Sequence, residues 1–247
     1  MAQSRELSKP PIREALIDFR IAADSVLDAS RFNSLRTTLA DVYPIVEERR
    51  PFRAELRVES GKLVPPLAED LGFGGLIFSN REKTRLAQFR HDGFTFNCLQ
   101  PYPGATVLIE EALRLWELFR ELQKPVEVTR IAMRYINGLE LPYEDGDDFS
   151  RFLAAAPEMP DGTPQHLSNF LSRVVAHEPP NVVTVTQKLD YVPGKKPVPV
   201  ILDVDAFCEE PLHPDRDTLH ATLGELRSLK NRVFFAFLTD EAVGLYQ

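Results

Sequence analysis

The sequence predicts an α+β fold: a mainly antiparallel sheet with helices packed largely on one face, built from two similarly ordered β-α-β-β-α halves. Three observations carry this. Several short segments alternate apolar and polar residues with the period of a half-buried strand. Between successive ones stand Asp92-Gly93 and Pro193-Gly194, turn pairs that make hairpins rather than crossovers. Two long stretches carry apolar residues at helical spacing, and the order strand, helix, hairpin strands, long helix occurs over residues 11–124 and again over 126–247. Lys124-Pro125 is too short to link independent domains, so the halves are expected to share one core in a single module spanning residues 1–247.

From Pro11 onward, Ala15, Ile17, Phe19 and Ile21 alternate with Glu14, Leu16, Asp18 and Arg20, which predicts the first strand. Asp28 or Ser30 can cap the helix that follows, with Phe32, Leu35, Leu39 and Val42 as its stripe and Pro44 as its stop. The segment from Ile45 to Val64 is mixed, and only FRAELRV alternates as a strand would. GGLIFSN, TRLAQFR and FTFNCLQ then predict an antiparallel meander that ends at Pro101 to Gly104. From Thr106, the residues Leu108, Ala112, Leu115, Phe119 and Leu122 predict an amphipathic helix, with Glu110 and Glu111 expected in its first turn and Lys124 at its end. VEVTRIAMRYINGLEL predicts a long strand. Asp148 can cap a short helix around FSRFLAAA, and HLSNFLSRVV predicts another through Leu167, Phe170, Leu171 and Val174. VVTVTQKLDYV and VPVILDVDAF follow as a hairpin. The chain closes with a helix from about Asp217 through Leu219, Leu223, Leu226, Val233 and Phe237.

The bulk properties narrow the function classes. In 247 residues, 43% hydrophobic and 27% charged, no apolar run approaches the roughly 20 residues a membrane helix needs, so no membrane partner is expected. The opening MAQSRELSKPP lacks the apolar stretch of a secretory signal, and Cys98 and Cys208 stand alone, so the expected compartment is the reducing cytoplasm. A net charge of -8 argues against nucleic acid, and no aromatic residues interleave regularly with the basic groups Arg49, Arg50, Arg53, Arg57 and Lys195-Lys196.

Motifs for several chemistries do not match. The five histidines are not paired at metal-ligand spacing, and HEPP at 177–180 places prolines where H-E-x-x-H needs a helix, so neither metal nor cofactor is expected. There is no G-x-S-x-G around Ser79, and GFGG at 72–75 lacks the Lys-Ser/Thr of a phosphate loop. His220, beside Leu219 and Leu223, is expected to be a partly buried packing residue. What remains is a set of charges on strands. Arg130 and Arg134 share one face, with Tyr135 and Asn137 on the other. Asp203 and Asp205 share a face, and Glu14, Asp18 and Arg20 form a similar set. The plainer account is a wet sheet face laced by ion pairs. The sharper account makes these seven residues a binding site in which arginines hold an anion and carboxylates tune it, serve acid-base chemistry or hold a cation.

PPIREA, LAQFRHDGFTFNCLQPYPG, RIAMRYINGLELP, LDVDAF and a closing LH followed by FFAFLT together resemble a sporadically distributed bacterial and archaeal family of about this length. Where that family's strand is closer to L-D-I-D-x-F this chain has LDVDAF, which leaves the polar face intact. The resemblance implies one intact module and assigns no catalytic residue. Its patchy distribution resembles that of mobile-element and defence genes, which implies a protein partner by association only. The expected function is therefore a non-enzymatic, cytoplasmic module binding a protein or a small anionic ligand, with oligomerisation left open. The alternative is a hydrolase or transferase using the carboxylate and arginine cluster.

Overall fold

A computed structural model describes residues 7–22, 29–59, 62–70, 72–144, 147–190, 194 and 196–247, with the backbone alone for 29, 52–59, 62–69 and 190. In chain order the strands are β1 (Ile12–Ile21), β2 (Ile45–Arg49), β3 (Phe52–Glu59), β4 (Lys62–Asp70), β5 (Gly75–Ser79), β6 (Arg85–Arg90), β7 (Gly93–Leu99), β8 (Val128–Leu141), β9 (Asn169–Glu178), β10 (Asn181–Asp190) and β11 (Val198–Cys208). The helices are α1 (Asn33–Thr38), α2 (Ala105–Gln123), α3 (Arg216–Ala236) and α4 (Asp240–Gly244). Nine strands form one antiparallel sheet in the order β2-β5-β6-β7-β1-β8-β11-β10-β9, and β3-β4 make a separate two-stranded ribbon. The α+β class is as the sequence predicts.

Strict alternation explains the central strands. In β11, Val198, Val200, Leu202, Val204, Ala206 and Cys208 are buried on one face while Asp203 and Asp205 point to the other. In β1, Ala15, Ile17 and Phe19 lie opposite Tyr135, Met133 and Ile131 of β8, so all six share the face on which the long helices pack. The Trp116 ring of α2 lies tilted against Phe19 with centroids 4.8 Å apart, and Phe89, Phe94 and Phe119 complete an aromatic cluster. Each such ring contributes roughly 1.5–3 kcal/mol through burial. The Asp92-Gly93 turn has a steric reason as well as a conformational one. Gly93 has φ +152, and a Cβ there would lie 2.0 Å from the Phe19 carbonyl oxygen.

Both long helices have clear boundaries. α2 stops at Lys124, which adopts the left-handed conformation just before Pro125. Asp215 caps α3 by accepting a 2.9 Å hydrogen bond from the Thr218 amide.

Several expectations are corrected. The predicted helix over Leu167 to Val174 is instead the edge strand β9, paired with β10 residue for residue from Asn169↔Asp190 to Asn181↔Glu178. Its apolar residues sit on both faces, Phe170 and Val174 on one and Leu171 and Val175 on the other, and that spacing mimics a helical stripe. Around FSRFLAAA only a 3-10 turn forms, Phe149–Arg151, although Asp148 caps it as expected. α1 is shorter than its predicted stripe and begins without a side-chain cap. Leu35 and Leu39 are buried, Val42 is 53% exposed and Tyr43 is buried in its place. Asp28 and the tips Pro193 and Lys195 lie outside the described residues, as do the side chains of Arg53 and Arg57. Six strands separate α1 from α2, the three of the predicted meander among them, against the two of the β-α-β-β-α order. No α-helix is described between β8 and α3.

Candidate functional site

The face of the sheet away from the helices carries all seven predicted residues. Leu16 lies opposite Arg134, Arg134 opposite Asp205, and Ile136 lies between Glu14 and Asp203. They come together in pairs. Arg134 holds Asp203 bidentately, with Nε to Oδ1 at 2.9 Å and Nη2 to Oδ2 at 2.5 Å. Nη2 of Arg130 donates to Asp205 Oδ2 at 3.0 Å, and its guanidinium lies 4.5 Å over the Phe207 ring. Arg20 donates to Asp18 at 2.8 Å and to Asp92 at 2.9 Å, and Glu14 accepts from the Asn97 amide at 2.6 Å.

Further members come from β6, β7 and their turn. Asp18, only 6% exposed, accepts from Arg90 at 3.0 Å and from the Thr95 hydroxyl at 2.5 Å, and Arg90, 4% exposed, also donates to Thr95 and Asp92. The sequence separates these residues by more than 70 positions, so only the β1–β7 register brings them together. Burial alone would raise the Asp18 carboxyl, but Arg90, Thr95 and Arg20 outweigh it and hold it below the usual carboxylate range. Asp205 shows the reverse balance: burial outweighs Arg130 and Arg134 and raises it, and its Oδ1 has no hydrogen-bond partner among the described residues. Chemically the network is closed, because each predicted arginine already faces a carboxylate. Its expected wet character is corrected at the centre, where Asp18, Arg90 and Thr95 are buried.

A second constellation lies on the helix-packed side. A cavity of about 350 Å³ is bounded by the chain before β1, the start of α2, the Tyr135–Asn137 stretch of β8 and one side of α3. Lys230 lines it and is 8% exposed, the one buried lysine among the described residues. It occupies the apolar stripe of α3, between Leu226 and Phe234, where the helical period calls for a hydrophobic residue. That misplaced lysine is the signal the sequence carried and the motif search missed.

Among the described residues the surroundings of Lys230 are positive or neutral. Its ammonium lies 3.5 Å from the centroid of the Tyr135 ring, and the Tyr135 hydroxyl is 2.7 Å from that of Tyr102. Burial, and then the neighbouring Arg227, push the amine down to about 7, while burial and Tyr102 push Tyr135 well up. Among the described residues neither Lys230 nor Arg227 has a carboxylate partner, and no acidic one lines the cavity.

The start of α2 adds to this field. The PYPG segment delivers Tyr102 to the cavity wall and ends in Gly104, whose φ of +100 only glycine adopts without strain. α2 has no side-chain cap and no acidic residue in its first turn, because Glu110 and Glu111 fall in the second turn and not the first as predicted. The first amides past Gly104 have no partner within the helix, which begins bonding at Leu108 to Gly104. Of that first turn, Gly104 and Ala105 lie at the cavity wall, which brings the positive end of the helix dipole to it.

His220 is exposed rather than partly buried, 3.6 Å from Glu110. Cys98 and Cys208 are buried free thiols. Among the described residues no group of three or more His, Cys, Asp or Glu stands close enough to hold a metal, and no helix is long and apolar enough to cross a membrane. No family model matches the chain, and no curated protein matches it.

Proposed function

We propose that the protein is a binding module for a small anionic ligand, and that the ligand sits in the Lys230 cavity rather than on the charged sheet face. One observation carries this: a buried lysine without an acidic partner among the described residues borders a cavity that an uncapped helix N-terminus also lines. Burying an unpaired ammonium is costly, so a fold that keeps one there gains most when an anion completes it. The sheet face offers less, since its arginines are already neutralised.

The same reading takes the chain as one cytoplasmic module of two related halves. The neighbour orders β1-β7-β6-β5 and β8-β11-β10-β9 support the relation, with β1 and β8 side by side and a long helix after β7 and after β11. The test is a thermal shift panel of acetate, benzoate and phosphate at pH 6.5 on the protein and on Lys230→Met. The reading expects at least one anion to raise the melting temperature of the parent and none to move the variant. Equal shifts in both proteins, or none in either, would overturn it.

A further inference from the structure

We propose that Lys230 is a nucleophile, and that its amine condenses with the carbonyl of a small aldehyde acid or 2-oxo acid whose carboxylate rests on the N-terminus of α2. This inference rests on the anion-binding reading above. A lysine can attack a carbonyl when its amine is unprotonated, faces free space and has no acid to hold its proton. Lys230 borders the cavity, lacks a carboxylate partner among the described residues and stands beside Arg227, so both burial and like charge favour the neutral amine. The charged and titratable groups of the cavity are Lys230 and Arg227 from α3, Tyr135 from β8 and Tyr102 from the segment before α2. The described residues before β1 contribute none.

The parts suit the class of compound. The amides at the start of α2, free of partners within the helix, can take a carboxylate, which leaves the adjacent carbonyl carbon inside the same small cavity as the amine. The Tyr102–Tyr135 hydroxyl pair is a proton-bearing group in the same cavity. In the step, the amine lone pair forms a C–N bond and the carbonyl π pair moves to oxygen, which takes up a proton. Nitrogen then loses a proton, the hydroxyl takes up a second one and leaves as water, and nitrogen gives up its remaining proton, so that a C=N bond remains. One amine and one carbonyl give one imine and one water, with nothing oxidised or reduced.

The test uses the full chain with glyoxylate and sodium cyanoborohydride at pH 7, followed by digestion and mass-spectrometric mapping. The inference expects a carboxymethyl adduct concentrated at Lys230, slowed several-fold by acetate, which binds as an anion but has no carbonyl. In Lys230→Arg the adduct at this position is expected to be lost. Adducts spread over exposed lysines such as Lys9 and Lys83, with none at Lys230, overturn it. If acetate raises the melting temperature but Lys230 is not trapped, the imine falls and anion binding stands. If neither is seen, both fall.

Discussion

Lys230→Met replaces a buried, unpaired ammonium with a neutral side chain of similar length, and the consequence for stability can be worked from its surroundings. Burial and Arg227 take the amine from an ordinary 10.5 down to about 7. At roughly 1.4 kcal/mol per unit, the folded protein disfavours the charged form by on the order of 4–5 kcal/mol. Between those two values the unfolded chain keeps the proton that the folded chain has released, so stability rises with pH across that window. From pH 7 to pH 9 the gain is about 2 kcal/mol, and it is absent from the methionine variant. The buried thiols of Cys98 and Cys208, raised by desolvation, act in the opposite direction in alkali, but they are common to both proteins and cancel in the difference. Urea denaturation of both proteins at pH 7 and pH 9, in buffers free of carboxylate and phosphate, measures that difference. The variant should be the more stable at pH 7, and its lead should narrow by about 2 kcal/mol, roughly half, at pH 9. Parallel pH dependences would refute the reasoning.

Other substitutions separate the sheet network from the cavity. Asp18→Ala leaves Arg90 buried without its carboxylate and should destabilise by about 3–5 kcal/mol in denaturant melts. Because Asp18 is held below its ordinary 3.8, its contribution is full above that value and is lost as pH falls through the folded value, which an acid titration of the melt would follow. Asp203→Asn combined with Asp205→Asn should lower stability by about 1–3 kcal/mol while leaving anion-induced thermal shifts intact. A loss of those shifts would return the site to the sheet face. Gly104→Ala forces a side chain into φ +100 and should cost about 1–2 kcal/mol, with weaker anion binding measured by calorimetry.

What the sequence disclosed followed the one-sided elements. β1, β8, β11, α2 and α3 each bury a single face, so their periods stand out. β9 buries little on either face at the sheet edge, and its apolar residues therefore imitated a helix. β4 contains Pro65 and Pro66, and nothing in KLVPPLAED alternates clearly enough to announce a strand. The seven charged residues were placed on one face correctly because a strand's period settles the face. Their pairings with Arg90, Asp92 and Thr95 depend on strand order, which no local pattern encodes. The cavity was hidden for the same reason. Tyr102, Tyr135 and Lys230 come from three distant segments, and only Lys230, a charge in an apolar stripe, carried a local mark.

The most direct measurement is an amide chemical-shift titration of the isotope-labelled protein with acetate. Saturable movement of the Ala105, Thr106 and Val107 amides, with the amides of Arg130, Arg134, Asp203 and Asp205 unmoved, is the result predicted. Movement confined to the strands bearing those four residues, with the start of α2 silent, would contradict the assignment of the site.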